Sequence, residues 1–261
     1  MTWSQTSANQ SGASHFVAAG SGVNLEITRI LAGAFIKNHP QISIEVPGSI
    51  GSKGAIQAVP DGAIALGLIS RTLNEDEKKL GLTALPYARV AIVVGVHPSV
   101  EEEEITFGEL IDIYRGTKSR WKDDNEIVVQ AREQSDSGFL VLRKEIPGFM
   151  EAYTESQQAR RWTVYFTDQD ANRALSSKRY AIGVTDLGMI KTEQLNVKVL
   201  KINGLLPTPE NVLSGKYPLV RDLSFIYRKE NIPEAAKAFM EYVRSEEGAK
   251  ILGANGYLPA D

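Results

Sequence analysis

Residue types able to grip a small anion gather in three short stretches: Ala19-Gly20-Ser21-Gly22-Val23-Asn24-Leu25, Gly48-Ser49-Ile50-Gly51-Ser52-Lys53-Gly54-Ala55 and Arg132-Glu133-Gln134-Ser135-Asp136-Ser137-Gly138. Each is a loop of small and hydroxyl-bearing residues that runs into helical apolar spacing. A helix start exposes unpaired backbone N–H groups and the positive end of the macrodipole. Glycine lets the main chain approach a ligand closely, and serine adds a hydroxyl donor. A single serine in this position can equally be an N-cap. Three such loops, the last opened by an arginine, predict a site that surrounds a small oxyanion.

The elements that would hold these loops alternate between β-like and helical patterns, which predicts an α/β fold. Strands are expected at His15–Ala19, Gln41–Pro47, Ile64–Ile69, Ala88–Val96, Ile127–Ala131, Tyr180–Val184, Val197–Ile202 and Leu223–Tyr227. Helices are expected at Leu25–Asn38, Gly54–Val59, Phe107–Tyr114, Phe139–Ile146 and Pro233–Arg244, where apolar residues recur near 3.6 spacing. Each strand–loop–helix unit then leaves its loop at the carboxyl end of a strand, where α/β sheets bind ligands.

Composition narrows the function. The 261 residues are 43% apolar and 23% charged, with a net charge of −3. No cluster of four or more Lys and Arg occurs, so the positive field that general nucleic-acid binding needs is missing. An anion held here depends on local donors. The absence of cysteine excludes disulfides, thiol catalysis and cysteine metal sites. His15, His39 and His97 are scattered without metal-ligand spacing and read as structural, so neither a metal nor another cofactor is expected. The longest apolar run, Val90–Val96, suits a buried strand and is too short to span a membrane. The polar segment 1–13 reads as a flexible tail.

With these positions in hand, the chain resembles the phosphate-binding proteins of bacterial ABC importers, a branch of the type II periplasmic binding proteins. Gly20-Ser21-Gly22-Val23 and Gly48-Ser49-Ile50-Gly51-Ser52-Lys53-Gly54 resemble that family's first two glycine-rich loops. Leu68-Ile69-Ser70-Arg71-Thr72-Leu73 is similar to a Ser-Arg-x-Leu strand end. Phe107–Gly116, closing with Trp121, is similar to a helix–aromatic–glycine–tryptophan signature, and Arg132-Glu133 with Ser137-Gly138 to an Arg-Glu-x-x-x-Ser-Gly-Thr loop. Pro207–Asn211 and Gly215–Leu219 resemble the segment that returns toward the first lobe. Two departures stand out: Phe139 replaces the threonine of the third loop, and Gly22-Val23 lack the first loop's hydroxyl.

The resemblance implies a two-lobed fold, each lobe a sheet flanked by helices, joined by crossover strands near Ala88–Val94 and Leu219–Phe225. Lobe one would be residues 14–90 plus 222–261, and lobe two residues 91–221. It implies an exported monomer in the periplasm or outside the cell, with tethering through a removed N-terminal leader left open. It would capture phosphate, or a related tetrahedral oxyanion, for ABC permease subunits. The ligand set would be Ser21, Gly22, Val23, Asn24, Ser52, Ser70, Arg71, Arg132, Asp136, Ser137 and Gly138, with no catalytic residue.

Within that set the residue types divide the work. Arg132 offers planar paired donors to two oxygens, the alternative being a pair with Glu133 or Asp136. Arg71 either aims into the cleft or pairs with an acid at the lobe edge. A carboxylate at Asp136 accepts the proton of hydrogen phosphate and repels sulfate, while the plainer reading makes it an N-terminal helix acid. Asp168-Gln169-Asp170 reads as a helix cap that could also reach the cleft. Trp121 and Tyr114 read as core. Two other functions compete with the receptor: a sensor or scaffold on the same fold, and a hydrolase with Ser137 as nucleophile. The hydrolase lacks a Gly-x-Ser-x-Gly elbow.

Overall fold

A computed structural model describes residues 14–260, so the expected tail over 1–13 lies outside the described residues. The chain opens with strand β1 (Ser14–Gly20), helix α1 (Gly22–Asn38), strand β2 (Ile42–Glu45), helix α2 (Gly51–Ala58) and strand β3 (Leu66–Ile69). β1 pairs in parallel with both β2 and β3, so the loops that follow β1 and β3 leave the same edge. A Cβ on Gly20 would lie 1.9 Å from the Leu68 carbonyl oxygen, so only glycine lets these two backbones approach this closely.

Helix α1 starts three residues before the expected Leu25, because Ser21 stands in extended conformation as its N-cap. Its face of Leu25, Ile27, Leu31, Ala32 and Phe35 is buried. It stops before His39-Pro40, where proline cannot continue the turn.

A short helix α3 (Glu75–Lys78) leads to the long strand β4 (Thr83–Val96). Then follow β5 (Glu104–Ile105), α4 (Phe107–Arg115), β6 (Val128–Arg132), α5 (Ser137–Glu145), α6 (Phe149–Gln158), β7 (Thr163–Tyr165), α7 (Asp168–Ser177) and β8 (Ala181–Asp186). Next come α8 (Leu187–Thr192), β9 (Lys198–Val199), β10 (Lys201–Ile202) and α9 (Pro209–Leu213). The chain returns on β11 (Val220–Tyr227), then α10 (Glu234–Val243), α11 (Glu246–Ala254) and β12 (Leu258–Pro259).

The main strand order is β2-β1-β3-β11-β4-β8-β6-β7. Strand β4 joins its two ends: Thr83–Ala91 pairs antiparallel with β11, and Ile92–Val96 pairs antiparallel with β8. Buried apolar residues follow the same change of partner. Val90 and Leu223 belong to a core with Phe16, Leu25, Leu31, Phe225 and Phe239. Ala91, Ile92 and Leu219 belong to another, with Tyr114, Trp121, Phe139, Phe149 and Tyr153. Burying either core contributes on the order of 25 cal/mol per Å² of apolar surface. The cores do not follow the sequence throughout: Met189 on α8 and Leu195 pack into the first, and Leu258 on β12 packs against the second.

Candidate anion-binding site

Four of the predicted serines meet. Ser21 caps α1, Ser70 follows β3, Ser52 lies in the first turn of α2, and Ser137 opens α5. The Ser70 hydroxyl stands 2.8 Å from that of Ser21 and 2.7 Å from that of Ser137. The Ser70 amide donates to Ser52 Oγ at 3.2 Å. Strand ends and helix starts from both halves of the chain thus bring hydroxyls to one place. Gly22 also lies there: Gln169 Nε2 donates to its carbonyl at 3.2 Å.

Gly22 and Val23 are the first residues of α1, whose amides have no acceptor within the helix. Asn24, expected among the ligand residues, turns its side chain into the core. Its Nδ2 donates to the Tyr87 hydroxyl at 2.8 Å and to the Ile69 carbonyl at 3.3 Å. Its amide serves the turn, donating to the Ser21 carbonyl at 3.0 Å.

Arg132 ends β6 and is 6% exposed. Its Nε and Nη2 donate to Asp136 Oδ2 at 3.2 and 2.9 Å, and Nη1 donates to the Tyr165 carbonyl at 2.9 Å. Asp168 Oδ1 lies 3.5 Å from Nη2. The Tyr153 hydroxyl donates to the Arg132 carbonyl and pins the strand end. The other oxygen of Asp136 caps α5, accepting from the amides of Gly138 at 2.9 Å and Phe139 at 3.3 Å. The Gly138 amide, expected to face the ligand, is therefore held by Asp136, and Asp136 itself is the helix-start acid of the plainer reading.

Arg71 makes the acidic pair that is the second of its two readings. Its Nη1 and Nη2 donate to the two oxygens of Glu77, each at 2.7 Å, and Nη1 also reaches the Thr72 carbonyl. This two-pronged pair holds the Glu77 carboxyl below its ordinary pKa. The guanidinium is committed to the lobe edge.

Two charged groups escaped the sequence reading. Arg221, on β11, donates from Nη1 to Ser137 Oγ and from Nη2 to Asp186 Oδ2, both at 2.8 Å. Asp186 ends β8, is fully buried, and also caps α8 through the Met189 amide at 2.8 Å. Burial pushes its carboxyl up, and Arg221 pulls it back only in part. Asp168 reaches the site from the start of α7, where Thr167 and not Asp168 supplies the cap. Burial, then the charge of Asp136, pushes the Asp168 carboxyl up to about 6 against the pull of Arg132 and Arg221. Two guanidiniums and three carboxylates are thus linked to Ser137, to the start of its helix, or to one another.

Among the described residues no group of His, Cys, Asp and Glu could hold a metal ion. Tyr114 and Trp121 are buried in the second core, as expected.

The description "PBP superfamily domain" matches residues 5–247. The chain belongs to the PBP superfamily. Among relatives of this superfamily member are the phosphate-binding protein PstS of Bacillus subtilis and that of Borreliella burgdorferi. The first is 25% identical, with 92% of this chain and 79% of the relative covered. The second is 24% identical, with 85% and 81% covered. A Clostridium perfringens substrate-binding protein, ascribed to a phosphate ABC transporter and solved with bound phosphate, superposes with a TM-score of 0.84. It is 26% identical, and the match covers 95% of this chain and all of the other.

Proposed function

We propose that this PBP-superfamily chain is a substrate-binding protein that captures inorganic phosphate between its two halves, for delivery to the membrane subunits of an ABC importer. The meeting of Ser21, Ser70 and Ser137, with the buried Arg132 bound to the Asp136 that caps the helix of Ser137, is the observation that carries this reading. Hydroxyls and helix-start amides replace water around a tetrahedral anion, and a guanidinium meets its charge. In this reading residues 14–90 plus 222–261 are one lobe and 91–221 the other, hinged at β4 and β11; the change of partner along β4 supports it. Closure around phosphate desolvates the anion and gives micromolar affinity or better, about −8 kcal/mol.

Ser21, Gly22, Val23, Ser52, Ser70, Arg132 and Ser137 form the ligand set in this reading, with Asp136 orienting Arg132 and α5. The hydroxyl of Ser137 meets Ser70 and Arg221. Delivery to a permease places the chain outside the cytoplasmic membrane as a monomer. Among the described residues no helix is long and apolar enough to cross a membrane.

Calorimetric titration with phosphate, arsenate, sulfate, molybdate and tungstate tests the reading. Phosphate binds with micromolar affinity or better. No heat with any of the five would favour the sensor instead.

A further inference from the structure

Arg221 occupies an unusual place in this molecule. It lies on β11 opposite Val90, one residue before β4 changes from the first core to the second. Its side chain is 4% exposed and that of its partner Asp186 fully buried. A buried ion pair can be purely structural, each member present only to neutralise the other. Three observations point beyond that. Nη1 goes to the hydroxyl of Ser137 while Nη2 alone serves Asp186. Nε is buried without a hydrogen-bond partner. And Asp186 divides its charge between Arg221 and the amide of Met189.

We infer that Arg221 is a second cationic determinant of oxyanion affinity, reaching the site from the connecting strand and setting the direction of the Ser137 hydroxyl. This rests on the phosphate-binding reading above. The two guanidiniums differ in the carboxylates they contact. Arg132 faces two carboxylates, Asp136 at 2.9 Å and Asp168 at 3.5 Å. Arg221 has one in contact, Asp186 at 2.8 Å, with Asp136 and Asp168 acting on it from further away. Arg221 thus has one carboxylate in contact where Arg132 has two.

A serine hydroxyl has a single hydrogen and two acceptor positions. Donation from Arg221 Nη1 occupies one acceptor position of Ser137 and turns the hydroxyl hydrogen away from the guanidinium, leaving it for Ser70 or for an anion at the meeting point of the halves. A hydroxyl so turned donates to an anion. Charge and donor direction thus come from one side chain.

The test separates this role from neutralisation of Asp186. Arg221→Gln alone leaves the buried carboxylate unpaired, which disturbs folding in either case. The double variant Arg221→Gln with Asp186→Asn removes both charges, and asparagine keeps a carbonyl oxygen for the α8 cap. The expected result is a melting temperature close to wild type with phosphate affinity, read by calorimetry, weakened at least tenfold. Asp186→Asn alone, which frees Arg221, binds phosphate as tightly as wild type or more tightly. A double variant that binds phosphate like wild type, or an Asp186→Asn variant weakened tenfold, overturns the role of Arg221 while wild-type binding leaves the functional reading intact. A wild-type chain silent to phosphate overturns the functional reading and this role with it.

Discussion

Gly22 and Asp168 meet so closely that a Cβ on the glycine would lie 2.5 Å from a carboxylate oxygen of the aspartate. One belongs to the first turn of α1 and the other to the first turn of α7, so the contact joins the two halves beside the serines. The missing methyl group is what allows this approach. Side chains on both sides of the contact belong to the candidate site.

Gly22→Ala is therefore expected to hold the halves apart without harming either core. Overpacking of this kind costs the arrangement with the halves in contact about 1–3 kcal/mol, a cost that separation of the halves relieves. Phosphate affinity should fall about tenfold or more, the ratio that 1.4 kcal/mol represents. The melting temperature without ligand should change little. Calorimetry and thermal unfolding of the same samples check both halves of the statement.

Asp168 gives a pH signature. Its carboxyl stands at about 6 in the folded chain against an ordinary 3.8, through burial first and the charge of Asp136 second. The native state thus keeps a proton that the unfolded chain has released across that interval. Stability from this proton is complete below the unfolded value and is lost as pH rises through 6. In Asp168→Asn that loss is absent. The melting temperature of the variant minus that of wild type should rise between about pH 4 and pH 6 and level off above. A flat difference would contradict the assignment.

Arg71 supplies a control outside the ligand set. Its two donors to Glu77 are the partner the sequence left as an alternative. Arg71→Ala should cost about 1 kcal/mol of stability or less, as for partly exposed pairs generally. Phosphate affinity should stay within about twofold of wild type, a shift well below 1 kcal/mol. A tenfold loss in the same titration would return Arg71 to the site.

How far the sequence could be read follows from what each signal reports. The buried face of α1 and the run Ile92–Val96 announced themselves because periodicity and continuous apolar character depend on burial alone. The glycine–serine loops were legible because few residue types suit a close backbone approach. The first residues of β4 were missed, since Thr83–Tyr87 alternates exposed and buried positions around Pro86. The single expected strand Val197–Ile202 is instead two short ones with different partners, a matter of tertiary pairing.

In the site, the serines and Arg132 carried a local signature, whereas Arg221 did not. On β11 it sits between Val220 and Asp222, where an arginine reads as an outward-facing strand residue. Only the fold shows that the strand passes between two cores there. Asp168 was readable as a cap, and its contact with Arg132 depends on how α7 is placed against β6. Asp136 satisfied both local readings together, as a helix-start acid and a partner of Arg132.

The central claim is that both halves supply donors to one tetrahedral anion. A crystal structure of the chain grown with phosphate tests it most directly. The account predicts the anion within hydrogen-bond distance of a serine from the first half, Ser21 or Ser70, and of Ser137 or Arg132 from the second. Phosphate bound only on an outer surface, with Ser70 and Ser137 apart and Arg132 remote from it, would contradict the account.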